Sequence, residues 1–448
     1  MDMKGYKMSI NARILHGDLL EKNTPPATQL SPYVVRLKGK FRSNPTTFDI
    51  DESILSKHSL FIGGTGCGKT TLFFHFVNQI KKSMTNDDVM IIFDSKGDFY
   101  NKFGKKEDLL LGNSSQYAQK SVKWNIFKEI LADGNDEKSY IFNIHEICKS
   151  FFAERLKKTS NAFFPHAASD LFAAILISLI RDCKSSAADR NEYFYNDKLR
   201  EIIDSFSIEH LIKNLQSHSD LQSVISYIEG GGDQSQGVLS EMYSVIKEIF
   251  IGVFADHGGF SIRDFVKRKG GRTLFIEYDL SIGSVLTPVY SLLFDLALKE
   301  ALGRSSAQKQ GNVYLICDEF RLLPNLQHID DGVNFGRSLG VKVIAGLQSI
   351  NQLTEVYGDA RGKNIAAGFS SVYAFHANDS ETRKFIVELF GHNYILEQYM
   401  RLDKKYIEEK RQGNTVEDWD MISLNVGEAV VGLPFQKPFR FQFDDYKG

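Results

Sequence analysis

Nine residues, "GGTGCGKTT" at Gly63–Thr71, constrain this chain more than any other stretch. Gly63–Thr70 fits G-x-x-x-x-G-K-T in full, with the strand-like run "HSLFI" before it and the helix-patterned "LFFHFVNQI" after it. Such a loop wraps backbone N–H groups around an anion, and the N-terminus of the following helix adds a favourable dipole. Gly64, Gly66 and Gly68 give the backbone its freedom to wrap, and Gly63, Thr65, Cys67 and Thr71 complete the cradle. Lys69 is spaced to reach the β- and γ-phosphates of a nucleotide, and the Thr70 hydroxyl to ligate magnesium. Beyond the loop, Leu72, Phe73, Phe76, Val77 and Ile80 share one helical face.

A nucleotide loop needs a carboxylate at the end of a neighbouring strand. "VYLICDE" supplies Asp318 and Glu319 after an apolar run. Asp318 is placed to hold magnesium through water, and Glu319 to polarise an attacking water as general base. Gln348 ends the run "VIAGLQ", where it can either bond the γ-phosphate or lytic water, or cap "SINQL". Asp94 ends "DVMIIFD"; it is either a partner of the magnesium waters or a turn carboxylate. Arg337, in "NFGRSLG", reads from composition as a surface arginine, with a role in a neighbouring subunit's site as the alternative.

Continuous apolar runs recur at 272–280, 312–320, 341–349, 371–377 and 427–434, mostly separated by helical patterns. That alternation predicts an α/β fold with a mostly parallel sheet covered on both faces. Residues 145–250 lack such runs and read as an inserted all-α domain. The nucleotide-binding domain is then 58–144 together with 251–448, preceded by a β-rich lead-in over 1–57. The charged stretch 404–420 reads as a solvated helix and loop.

Composition narrows the rest. Formal net charge is −2, so any nucleic-acid contact has to come from a local patch or an oligomeric channel. Cys67, Cys148, Cys183 and Cys317 have neither metal-ligand spacing nor a disulfide framework, as expected of a reducing compartment. The first thirty residues lack the apolar core of a signal peptide. "LFAAILISLI" at 171–180 is about half the length of a bilayer crossing and reads as a buried helix. The expectation is a cytoplasmic chain that spans no membrane and meets one only through a partner.

The set "GGTGCGKTT", "IIFDSKGDF", "VKWNIF", "FSIRDFVKRKGGRTLFI", "YLICDEFRLLPNLQHIDDGVNFGRSLGVKVIAGLQSINQLTEVYG", "ANDSETRKFIVELFG" and "LNVGEAVVGLP" resembles the type IV secretion coupling proteins. These are TraG/TraD-like conjugative ATPases related to the FtsK and HerA DNA motors. The likeness covers about residues 55–440, most specifically 313–358. It implies a RecA-like P-loop domain with an inserted all-α domain, a homo-hexamer, and hydrolysis of ATP with Mg2+. The substrate it implies is a relaxase-bound single DNA strand, or protein, passed to a secretion channel. It also implies that Arg337 acts in trans and that Gln348 senses the γ-phosphate. The chain departs from the family in lacking transmembrane helices, in Ile126 where proline is usual, and in Arg383 and Lys384 where small residues are usual.

Three functions compete on this reading. The first is a DNA motor of conjugation, with Lys213, Lys247, Arg263, Lys267, Arg268 and Lys269 as candidate channel cations. The second is an ATPase that sorts protein substrates. The third is a switch, or a DNA-processing motor, in a defence or repair complex.

Overall fold

The structure, a computed structural model, describes residues 8–26, 32–183, 187–303, 311–400 and 406–448. Its strands are β1 (Met8–His16), β2 (Tyr33–Phe41), β3 (Asn44–Asp51), β4 (Ser59–Ile62), β5 (Val89–Asp94), β6 (Leu109–Leu111), β7 (Arg272–Glu277), β8 (Val313–Cys317), β9 (Val341–Leu347), β10 (Ser371–Phe375), β11 (His392–Met400), β12 (Tyr406–Asn414), β13 (Glu428–Gly432) and β14 (Phe439–Phe443). Eleven of them form one sheet in the order β3-β2-β14-β13-β10-β4-β9-β8-β5-β7-β6. From β10 to β6 the strands run parallel. The remaining four continue the sheet antiparallel. The fold is therefore α/β and mostly parallel, as the alternating apolar runs predict.

The parallel strands are apolar on both sides because both faces are covered. In β5, Val89, Ile91 and Phe93 enter one core, and Met90 and Ile92 enter the other. Helix Lys69–Ser83 packs on the second face, with Leu72, Phe73, Phe76, Val77 and Ile80 all buried there. Hairpin β2–β3 flanks the same core and is tied to that helix by Gln79, whose side chain bonds both Arg36 N (2.8 Å) and Arg36 O (3.0 Å).

Parallel strands bring their carboxyl ends to a common edge, termed here the head of the sheet; the opposite edge is the tail. The connections decide what stands at each edge. Asp94 closes β5, Asp318 follows β8 and Gln348 follows β9, all at the head. Arg337 and Lys57 precede β9 and β4, at the tail.

Among the described residues, Glu137 to Ile249 holds six helices of seven residues or more and no strand. Their apolar faces share one cluster with the sheet, so the core is continuous. Helix Phe163–Asp182 is twice as long as the apolar run at 171–180 suggests. By length and composition alone it could cross a membrane, yet 67% of its most apolar window is buried in the protein. Asp136 caps the first of these helices by accepting from Ser139 N (3.0 Å).

A buried polar network pins the base of this helical region. Glu129 accepts from Trp124 Nε1 (3.0 Å), Ser261 Oγ (2.8 Å), Ile262 N (2.7 Å) and Arg263 N (3.3 Å). Burial pushes its carboxyl up to about 7 against those four donors. Ile126, where proline is usual, has its N–H bonded to Asn196 Oδ1 at 2.9 Å, a bond that proline could not make.

The stretch 404–420 is not a charged helix. Residues 406–414 form β12, which pairs antiparallel with β11, itself paired with β1; 404 and 405 lie outside the described residues. Its charges sit on an exposed ribbon where both faces meet water, so polarity carries no periodicity to read. Only Asp418–Ile422, at the end of the stretch, is helical.

Candidate nucleotide site

The phosphate loop joins β4 to helix Lys69–Ser83 at the head. Its strained positions are Gly63, Gly66 and Gly68, with φ of 151°, 75° and 110°. Gly64 does not share them, so the need for glycine falls on Gly63 rather than Gly64. A Cβ at Gly63 would stand 2.7 Å from Phe375 Cβ, and one at Gly68 would stand 2.9 Å from Gly427 Cα. Gly66 has open space around it. The loop is anchored by Gly63 N to Leu347 O (3.1 Å), Gly64 N to His376 O (2.8 Å) and Gly427 N to Cys67 O (2.9 Å). Gly427 is thus a structural wall of the loop, which its place in "LNVGEAV" does not advertise.

Lys69 Nζ donates to Gly63 O (2.6 Å) and Gly64 O (2.8 Å). Burial lowers its pKa, while Cys67, Glu319 and Asp318 pull it back. Thr65 and Gly66 are exposed at the loop's tip, and Thr70 and Thr71 are half-buried on the first helical turn.

Across from the loop, Gln348 bridges two of the predicted residues. Its Oε1 accepts from Thr65 Oγ1 (3.1 Å), and its Nε2 donates to Glu319 Oε2 (2.5 Å). Glu319 Oε1 is buried without a hydrogen-bond donor among the described residues; Arg321 Nε lies 3.3 Å away. Asp318 Oδ1 accepts from Ser95 Oγ (3.0 Å). Burial first, then the charge of Asp94, pushes Asp318 up to about 7, and the Ser95 donor opposes the shift. The head therefore gathers Gly63–Thr71, Asp318, Glu319 and Gln348. Ser95 joins them unanticipated, because a serine after a strand carries no signal of its own.

Asp94 serves as a turn carboxylate. Its Oδ2 accepts from Phe99 N and Tyr100 N (both 3.0 Å) and caps the helix Asp98–Phe103. Arg337 is exposed at the tail, beyond the amino end of β9. Seven residues of strand, about 20 Å, separate it from the loop of its own chain. Of the candidate channel cations, Lys213 and Lys247 are exposed. Arg263 is not available: its side chain is 3% exposed and pairs with Asp133 (2.7 Å) and Glu300 (3.0 Å). Lys267 shares both acids, and Arg268 pairs with Asp264 at 3.2 Å.

A family model described as the type IV secretion-system coupling protein DNA-binding domain matches residues 46–418. The coupling protein TraD of Escherichia coli (strain K12) is 22% identical over 348 residues, 75% of this chain. The chain spans 44% of the length of that relative. Among solved structures, the unbound bacterial conjugative coupling protein TrwBdeltaN70 superposes with a TM-score of 0.71 at 21% identity, covering 94% of this chain and 91% of that one. The plasmid coupling protein TrwB in complex with the non-hydrolysable ATP analogue ADPNP gives 0.71 at 20%, covering 97% and 95%.

Proposed function

The chain belongs to the type IV secretion-system coupling proteins, and on that premise we propose that it is an ATPase that recruits DNA and pumps it toward a conjugation channel. The observation that carries the reading is Glu319, whose Oε2 is held by Gln348 opposite a complete phosphate loop and whose Oε1 is buried without a hydrogen-bond donor among the described residues. A nucleotide-binding loop alone would serve a switch; a positioned base beside it suits hydrolysis.

In this reading Lys69 leaves the carbonyls of Gly63 and Gly64 for the β- and γ-phosphates of ATP. The open space around Gly66 and the N–H groups of the first helical turn fit a polyphosphate. Thr70, with Asp318 through water, would hold Mg2+, which supplies charge neutralisation of the phosphate oxygens. Glu319 takes a proton from water; the water oxygen bonds to the γ-phosphorus, and the bond to the bridging oxygen breaks to release ADP. Gln348 orients that water or the γ-phosphate. Arg337 enters the site of a neighbouring copy and neutralises charge there. ADPNP and ADP with Mg2+ bound to TrwB support the choice of ATP and Mg2+.

The all-α domain, 145–250, is assigned to the DNA side, with the nucleotide domain formed by 58–144 and 251–448 and the lead-in by 1–57. The substrate is a relaxase-bound single strand, the assembly a homo-hexamer, and the place of action the inner face of the cell membrane, reached through a channel or anchor protein. The test is steady-state ATP hydrolysis against protein concentration, with and without single-stranded DNA. Specific activity should rise steeply with concentration and with DNA, and vanish in Lys69→Ala and Glu319→Gln. Turnover indifferent to DNA would move the substrate to protein. No turnover in the intact chain would leave a nucleotide switch.

A further inference from the structure

Residues 320–328, which follow Glu319, are gripped from two sides. On one side, Tyr357 Oη donates to Leu323 O (2.6 Å) and Arg361 Nη2 donates to Leu326 O (2.8 Å). On the other stands the first long helix of the helical region, Glu137–Lys158. Its Glu154 Oε1 accepts from Asn325 Nδ2 (3.3 Å), and Asn325 holds φ 64°, a left-handed backbone that asparagine tolerates. About two turns earlier on the same helix, Glu146 Oε1 lies 3.4 Å from His328 Nε2.

His328 closes the segment. Its backbone N–H donates to Asp295 Oδ1 (2.9 Å), and its Nδ1 lies 2.9 Å from Asp295 Oδ2, so both oxygens of that carboxylate serve one residue. Asp295 sits on the helix Gly283–Leu302. Its side chain is 5% exposed and that of Glu146 8%. Lys299, on the helix of Asp295, pairs with Glu146 and donates to Asn143 Oδ1 (3.1 Å). Two buried carboxylates thus face one lysine, and a second positive charge, on His328, balances the set. With both ring nitrogens protonated, Nδ1 donates to Asp295 and Nε2 brings positive charge to Glu146. Burial disfavours that proton. The bond to Asp295 and the charges of Asp295 and Glu146 outweigh burial and Lys299, and the pKa stands above its usual 6.5. On the helix that His328 itself opens, Asp330 is taken by Arg361 (2.6 Å) and Asp331 is exposed.

We propose that His328 is a positioning residue for ATP hydrolysis: clamped between Asp295 and Glu146, it fixes residues 320–328 to the helical region and so holds Glu319 against Gln348. The proposal rests on the reading of Glu319 as the base. Loss of the His328 proton leaves two buried carboxylates sharing Lys299 alone, and the clamp loosens. The clamp is therefore complete below pH 6.5 and is lost as pH rises through the raised pKa of His328. The phosphate loop is anchored elsewhere, on Leu347, His376 and Gly427, so turnover rather than nucleotide affinity should respond.

The test measures kcat and KM of the full chain for ATP from pH 6 to 9, with amide hydrogen exchange read in the same proteins. The wild type should lose kcat on the alkaline side at nearly constant KM. His328→Gln should lower kcat about 10-fold or more at pH 7, flatten the alkaline limb and raise exchange over residues 320–328. Exchange over Lys69–Ser83 should stay as in the wild type, which separates the clamp from general unfolding. His328→Arg, a permanent cation, should restore most of the rate and carry it to pH 9. Equal exchange over 320–328 in His328→Gln and the wild type overturns the proposal whatever the rates. Raised exchange with an unchanged kcat, or with an unchanged alkaline limb, overturns it as well. Glu319→Gln, run alongside, reports separately on the base: full turnover in that variant would remove Glu319 from the chemistry, while the exchange data still decide the clamp.

Discussion

Gln348 Nε2 lies 2.5 Å from Glu319 Oε2, while the other carboxylate oxygen, 3.3 Å from Arg321 Nε, has no hydrogen-bond donor among the described residues. The first residue after β9 thus orients the second residue after β8. Glu319→Gln should lower the hydrolysis rate about 10²–10⁴-fold, the usual contribution of a positioned base, with nucleotide affinity retained. Gln348→Ala should lose about 10-fold or more in rate by releasing Glu319 and the water it faces. Single-turnover hydrolysis with radiolabelled ATP checks both. A Gln348→Ala rate equal to wild type would reduce Gln348 to a cap, which its N–H to Gln352 Oε1 (3.1 Å) already makes in part.

Gly427 and Gly68 stand back to back, and both have positive φ. A Cβ on Gly427 would lie 2.8 Å from Gln442 Nε2, and its φ of 77° is costly for any other residue. Gly427→Ala should therefore destabilise the chain by about 1–2 kcal/mol and weaken ATP-analogue binding several-fold. Thermal denaturation with and without the analogue checks this. A loss of stability without a loss of affinity would show that the wall does not shape the loop.

How much of this could be read from residues alone depends on how local each signal is. The loop at Gly63–Thr71 and the Asp318–Glu319 pair are contiguous, and apolar strands feed both, so their meeting at the head follows from parallel topology. Gly427 and Ser95 act through contacts across the fold and leave no local mark. Arg263 looked like a free cation because Asp133 and Glu300 are distant in sequence. Strand β12 was missed because a ribbon wet on both faces has no alternation.

Arg263 separates stability from DNA binding. Its guanidinium is buried between Asp133, which is 38% exposed, and Glu300, 13% exposed. Arg263→Ala leaves Glu300 and the Glu129 network short of a cation and should cost about 2–4 kcal/mol, less than a fully buried pair because water reaches Asp133. The folded fraction should bind single-stranded DNA as the wild type does. Lys213→Ala with Lys247→Ala should do the reverse, keeping stability and lowering both affinity and its salt slope. Urea denaturation and fluorescence anisotropy at several salt concentrations read the two effects.

His58 gives the chain an acid-sensitive joint at the tail. It is buried at φ 62°, and its Nδ1 accepts from Val343 N (3.0 Å), which puts the proton of the neutral ring on Nε2. Burial and the nearby Lys342 hold its pKa down to about 4 from 6.5. Above pH 6.5 the ring is neutral in folded and unfolded chains, and the full stability is present. Between pH 6.5 and 4 the unfolded chain takes up the proton and the folded one does not, so stability falls with acidification. At roughly 1.4 kcal/mol per pKa unit, the loss approaches about 3 kcal/mol by pH 4. His58→Asn tolerates the left-handed backbone and can still accept from Val343 N, but it cannot titrate. Urea denaturation from pH 7.5 to 4 should therefore show the wild type losing stability relative to His58→Asn across that window. Parallel curves for the two proteins would mean that His58 takes up its proton in the folded state without opening the joint.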